Sequence, residues 1–147
     1  MDRIEPVTPS ERWIRLAIES RLDQVALVGL ALRGLLRDLV SDEIARYEIE
    51  VAVTEGINNA IKHAYGLKRG HEVEVIVTFH PGSLRFTICD TGRPPAIDGH
   101  TCLDFDPKDI DALPEGGMGI PLMKSIMDEV SFCRSGNKNC LVMYKRI

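Results

Sequence analysis

The chain has no run of Lys or Arg long enough to form a basic stripe, and its 18 basic against 22 acidic residues leave a formal charge of -4. That balance speaks against a protein that neutralises phosphates along a nucleic acid. Long apolar segments are missing too. Nothing approaches the roughly 20 apolar residues of a membrane helix, and the N-terminus, Met1-Asp2-Arg3-Ile4-Glu5-Pro6, lacks a signal-peptide core, so a soluble, cytoplasmic protein is expected, with neither membrane nor nucleic acid as partner. Cysteine is sparse: Cys89, Cys102, Cys133 and Cys140 are far apart, with no C-x-x-C pair, and His63, His71, His80 and His100 complete no zinc spacing. The four cysteines therefore read as reduced structural thiols. Absent as well are the Rossmann G-x-G-x-x-G and the P-loop G-x-x-x-x-G-K, any internal repeat and any low-complexity tract.

A length of 147 residues suits one domain, here 12–147 behind an N-terminal arm of residues 1–11 rich in Pro and charge. Trp13 to Ile18 is expected to form a strand. Leucines and valines at helical spacing predict a helix from a Ser20 cap to about Leu39, and a second helix runs from a Ser41 cap through Asp42 to Ala64, with Gly66 as its stop signal. The pattern then alternates. Val73, Val75, Val77 and Phe79 face one way, Glu72, Glu74, Ile76 and Thr78 the other, and Pro81-Gly82-Ser83 turns the chain into a return strand ending at Asp90. Residues 91–115 are rich in Pro, Gly and Asp and read as a lid or binding loop. A short helix from Gly119 to about Asp128 and a closing hairpin around Ser135-Gly136-Asn137-Lys138 complete an α+β pattern.

Three segments carry chemistry. The stretch Glu55-Gly56-Ile57-Asn58-Asn59-Ala60-Ile61-Lys62-His63 puts an acid, an amide and a cation at four-residue spacing, so Glu55, Asn59 and then Lys62 or His63 can converge while Ile57, Ala60 and Ile61 face elsewhere. An amide oxygen suits Mg²⁺, and a carboxylate one turn away can take a proton from a hydroxyl. At a strand end, Asp90-Thr91-Gly92 offers a carboxylate to the exocyclic amine of adenine, with Gly92 permitting close backbone approach. Gly116-Gly117-Met118-Gly119 precedes the helix of Ile120-Pro121-Leu122, where exposed N–H groups suit phosphate. Taken singly, these are a polar helix face, an ordinary turn and a hinge. Their order along the chain is what makes them a bipartite ATP site.

That ordered set, with Lys62-His63-Ala64-Tyr65 after Asn59, resembles the GHKL (histidine kinase-like) ATPase superfamily, and within it the bacterial anti-sigma factor serine/threonine kinases, over residues 12–146. The resemblance implies a Bergerat-type two-layer α/β sandwich with a mostly antiparallel mixed sheet. It also implies an ATP- and Mg²⁺-dependent protein serine/threonine kinase, with Glu55 as the base and Asn59 as the Mg²⁺ ligand. Asp90 and Gly92 would form the adenine site, and Gly116, Gly117, Met118 and Gly119 the lid and phosphate contacts, with Lys62 and His63 near the phosphates. The implied phosphoacceptor is a STAS-domain anti-anti-sigma protein; a sigma factor is an open second partner, and relatives of this type commonly form homodimers. Histidine kinases of the superfamily usually have Asn where Glu55 stands. Three departures are visible: Pro94 replaces a Gly, Glu115 and Gly116 stand where some relatives have a basic residue, and a Thr near adenine gives way to Cys140 or Asn139. The alternative reading is a nucleotide-gated protein-binding regulator with little or no kinase activity.

Overall fold

In the computed structural model, residues 11–95, 103–104 and 119–147 are described. The N-terminal arm up to residue 10, most of the expected lid, and Gly116, Gly117 and Met118 lie outside the described residues.

The alternating stretches form strands β1 (Arg12–Glu19), β2 (Glu72–His80), β3 (Ser83–Asp90), β4 (Leu103–Asp104), β5 (Glu129–Ser135) and β6 (Lys138–Arg146). They lie in the order β1-β2-β3-β6-β5-β4, and every neighbouring pair is antiparallel. Helices α1 (Val25–Leu36), α2 (Glu43–Asn59) and α3 (Ile120–Ile126) make the second layer. This is the expected two-layer α+β sandwich, with every strand pairing among the described residues antiparallel.

Period-two alternation puts Val73, Val75, Val77, Leu84, Phe86, Ile88 and Met143 on the helix side, where they are buried with Leu32, Leu36, Ile49, Val53 and Ile57. Each such side chain contributes roughly 1.5–3 kcal/mol on burial. Gly56 sets how closely α2 lies on the sheet. A Cβ there would fall 2.6 Å from Ile88 Cδ1 and 3.0 Å from Leu141 Cδ2, so the turn bearing Glu55 sits directly on β3 and β6.

Several local expectations change. Ser20 does not cap α1, because β1 pairs with β2 up to Glu19↔Glu72 and the hydroxyl is captured just beyond. It donates to the Lys68 carbonyl (2.6 Å) and accepts from the His71 N–H (3.1 Å). A 3-10 turn at Leu22–Gln24 comes first, and α1 ends at Leu36. Asp42, not Ser41, caps α2 by accepting the Ile44 N–H at 3.0 Å, where a carboxylate also suits the helix dipole. The stretch expected to be a lid or binding loop contributes β4, Leu103–Asp104, to the sheet edge beside β5.

Two corrections reach the site. The α-helix ends at Asn59, and Ala60–Ala64 form a π turn in which the Tyr65 N–H bonds the Ala60 carbonyl at 3.0 Å. Cys89 and Cys140, read as reduced thiols, are disulfide-bonded (S–S 2.03 Å), and Cys133 is also disulfide-bonded. Residues directly opposite on β3 and β6, with Cα atoms 4.2 Å apart, are within bridging reach, a proximity that a sequence separation of 51 conceals.

Candidate functional site

One helix forms the wall against which the separated motifs meet. Glu55, half-buried on α2, points at the start of α3. A Cβ on Gly119 would lie 2.4 Å from Glu55 Cγ and 2.8 Å from its Cδ. Gly119 is the N-cap of α3 with φ +71°, a left-handed conformation that glycine adopts without steric cost, and Pro121 follows in the first turn. Backbone shape and the close approach of Glu55 therefore both demand glycine. Asn59 lies one turn further along α2 and is buried.

At its far end, α2 meets the turn after β3. A Cβ on Gly92 would come within 2.4 Å of the Ala64 carbonyl oxygen, and the Arg93 N–H donates to that same oxygen at 2.8 Å. Tyr65 braces this junction. Its hydroxyl donates to the Glu72 carbonyl (2.6 Å) and accepts from the Thr91 N–H (2.9 Å), while its ring stacks on His71 with centroids 4.7 Å apart. The Ala64 carbonyl, left without an intrahelical partner at the end of the π turn, is taken up by the loop. Such turns recur at functional sites.

That same widening undoes part of the sequence argument. Four-residue spacing aligns side chains only while the helix stays α. Past Asn59 it does not, and Lys62 and His63 are exposed, with no hydrogen bond or ion pair to a described residue. Glu55 and Gly119 are brought together, as are Asp90, Gly92 and the end of α2. Gly116, Gly117 and Met118 lie outside the described residues.

Asp90 ends β3 on the helix-facing side, buried. Its Oδ1 accepts from the Gly92 N–H and from Asn139 Nδ2, both at 2.9 Å. Burial pushes its carboxyl above the usual aspartate range, opposed by the Asn139 and Gly92 hydrogen bonds and by the charge of Arg134. Asn139 also donates to the Gly92 carbonyl (3.0 Å), and its own oxygen accepts from Arg134 Nη1 (2.8 Å). Sequence had left Cys140 and Asn139 as equal candidates beside adenine. The register separates them: Asn139 opposes Asp90 on the site face, and Cys140 opposes Cys89 on the other. Tyr65 stands in the segment that carries the resemblance but has no role assigned by it, and Arg134 carries no signal of its own, because each acts through a partner distant in sequence.

Among the described residues no three His, Cys, Asp or Glu side chains group to hold a metal ion. A cation here would rest on few protein atoms, which fits Mg²⁺, an ion that keeps waters and substrate oxygens, at the buried Asn59 amide beside Glu55. No helix among the described residues is long and apolar enough to cross a membrane.

The histidine kinase-like ATPase domain model matches residues 18–145. The chain is 31% identical over 132 residues to the serine-protein kinase RsbW of Bacillus pumilus, covering 80% of this chain and 75% of that one. It is 28% identical over 142 residues to RsbW of Staphylococcus epidermidis, covering 92% of this chain and 88% of the relative. The crystal structure of the RsbU and RsbW domains of Rv1364c from Mycobacterium tuberculosis shares the fold, with a TM-score of 0.65 at 14% identity, covering 92% of this chain and 32% of that longer one. With Gly119 seated on Glu55, Gly92 seated on Ala64 and a family match over residues 18–145, the chain belongs to the histidine kinase-like ATPase family.

Proposed function

We propose that the protein is an ATP-dependent protein serine/threonine kinase acting in the cytoplasm as an anti-sigma factor, and that it phosphorylates a STAS-domain anti-anti-sigma partner. The observation that carries this reading is the seating of Glu55 against Gly119, at the start of α3, on the same helix whose far end holds the Asp90 turn. A carboxylate beside the phosphate end can take the proton of an attacking hydroxyl, and a carboxylate at the base end can accept the amine of adenine. The RsbW relatives, named serine-protein kinases, support the choice of reaction.

In the proposed step the partner's hydroxyl oxygen forms a bond to the γ-phosphorus as the bond to the β-phosphate oxygen breaks. Glu55 takes the hydroxyl proton and ADP leaves. Such transfer depends on positioning and charge stabilisation more than on covalent help. Gly116, Gly117, Met118 and Gly119 would supply backbone donors to the phosphates, and Lys62 and His63 would approach from the solvent side. Asn59 would hold Mg²⁺, which when bound offsets charge on the phosphate oxygens. Homodimerisation and sigma-factor binding belong to the same proposal.

The nucleotide-gated regulator has one observation in its favour: no cation among the described residues bonds Glu55. Incubation with γ-labelled ATP, magnesium and a STAS-domain protein from the same genome separates the two. The kinase reading expects phosphoserine or phosphothreonine on the partner, abolished by Glu55→Ala with ATP affinity nearly intact. A stable ATP complex without phosphoprotein supports the regulator instead, and full transfer by Glu55→Ala sinks the role of the base.

A further inference from the structure

One row of side chains crosses three strands on the site face. Asp90 on β3, Asn139 on β6 and Arg134 on β5 are successive register partners, joined as carboxylate, amide and guanidinium by bonds of 2.9 and 2.8 Å. The direction of the amide is fixed at both ends. Arg134 can only donate, so the Asn139 oxygen faces it and the Asn139 nitrogen must face Asp90 and the Gly92 carbonyl. Reversal would set donor against donor at one end and acceptor against carboxylate at the other. The Gly92 N–H adds a second bond to the same Asp90 oxygen, so Oδ1 is fully committed, while no described residue bonds Oδ2.

We infer that Asn139, oriented by Arg134, is the positioning residue that sets base selectivity in this site: by occupying Oδ1 of Asp90 it fixes the carboxylate so that Oδ2 accepts the exocyclic amine of adenine. The inference rests on reading Asp90 as the base-binding group. A carboxylate locked as an acceptor rejects a purine with a carbonyl at that position, since two acceptors would face each other in a buried place. Without Asn139 the carboxyl can rotate, and burial then favours its protonated form, which donates as readily as it accepts. Asn139 thus accounts for discrimination, whereas the affinity of the phosphate contacts lies elsewhere. This arrangement is the chain's own alternative to the hydroxyl residue that related chains often place near adenine.

The test is equilibrium binding of ATP and inosine triphosphate, which carries a carbonyl in place of the amine, to the full chain and to Asn139→Ala, Arg134→Met, Asp90→Asn and the Asn139→Ala/Asp90→Asn pair. Wild type should prefer ATP. Asn139→Ala should cut the ATP-to-inosine ratio by roughly tenfold, the scale of one hydrogen bond, with inosine triphosphate binding little changed. Arg134→Met, which leaves the amide in place but untethered, should give a smaller loss in the same direction; it also decides the matter if Asn139→Ala does not fold. The pair should be no less selective than Asp90→Asn alone, because Asn139 acts through Asp90. Equal weakening of both nucleotides, an unchanged ratio or full additivity would overturn the assignment. A wild type without preference for ATP would instead refute Asp90 as the base-binding group, and that outcome is visible before any variant is made.

Discussion

Tyr65→Phe removes one oxygen and leaves the ring, its burial and its stacking on His71 in place. Lost are the 2.6 Å bond to the Glu72 carbonyl and the 2.9 Å bond from the Thr91 N–H, together with a longer 3.3 Å bond to the Thr91 hydroxyl. Each of the two shorter bonds is worth about 1 kcal/mol net, and a partner left without water costs more. Thr91 and Glu72 are exposed residues, so water can partly replace the hydroxyl, and about 2 kcal/mol is expected for the pair. For 147 residues the unfolding entropy is roughly 0.3 kcal/mol/K, so Tm should fall by about 6 °C. The functional consequence follows from position: the Thr91 N–H adjoins Asp90, so a loosened turn should weaken ATP binding several-fold. Scanning calorimetry with and without ATP reads both effects. Tyr65→Leu, which also removes the stacked ring, should be worse. If Tyr65→Phe melts within a degree or so of wild type and binds ATP normally, the hydroxyl does not brace the loop and the reasoning fails.

Gly119→Ala forces a Cβ into Glu55 and an L-residue into the left-handed region, at a backbone cost of roughly 1–2 kcal/mol. Phosphoryl transfer should drop by about a hundredfold while ATP affinity changes much less, and equal losses in both would refute Glu55 as the displaced group. Replacing both Cys89 and Cys140 with serine removes a crosslink spanning 51 residues, for which loop entropy gives an upper value of roughly 4 kcal/mol. Melting curves should show a fall on the order of 10 °C, and an unshifted curve would mean that the bridge contributes nothing. Because burial raises the Asp90 carboxyl in the fold, its stability cost is absent below the unfolded pKa and complete above the folded one, so stability declines as pH rises through that window. ATP affinity should move the opposite way, falling as pH drops through the folded value; Asp90→Asn should flatten that dependence, and an identical slope in the variant would assign it to another group.

Much of this was legible in the order of residues. The alternation from Val73 to Phe79, the Pro81-Gly82 turn and the helical repeat of α2 specified their elements, because side-chain period reports directly on backbone geometry. Asp90, Gly92 and Gly119 announced themselves as a strand-end carboxylate and glycines that close approach requires. Failures occurred where tertiary pairing outcompeted a local rule. Ser20 gave up capping for the β1–β2 junction, and Ala60–Ala64 depart from α geometry where the chain end meets Gly92 and Arg93.

Taken alone, the sequence determined the α+β class, the three ordered motifs and the family they resemble, since each depends on neighbours within a few positions. Only the tertiary structure decided which of Asn139 and Cys140 faces Asp90, that Cys89 and Cys140 are bridged, and that Tyr65 and Arg134 support the base end of the site. The reason is strand register. A shift of one residue between β3 and β6 would exchange the amide for the thiol, and register is set by packing across the whole sheet, not by the residues being exchanged.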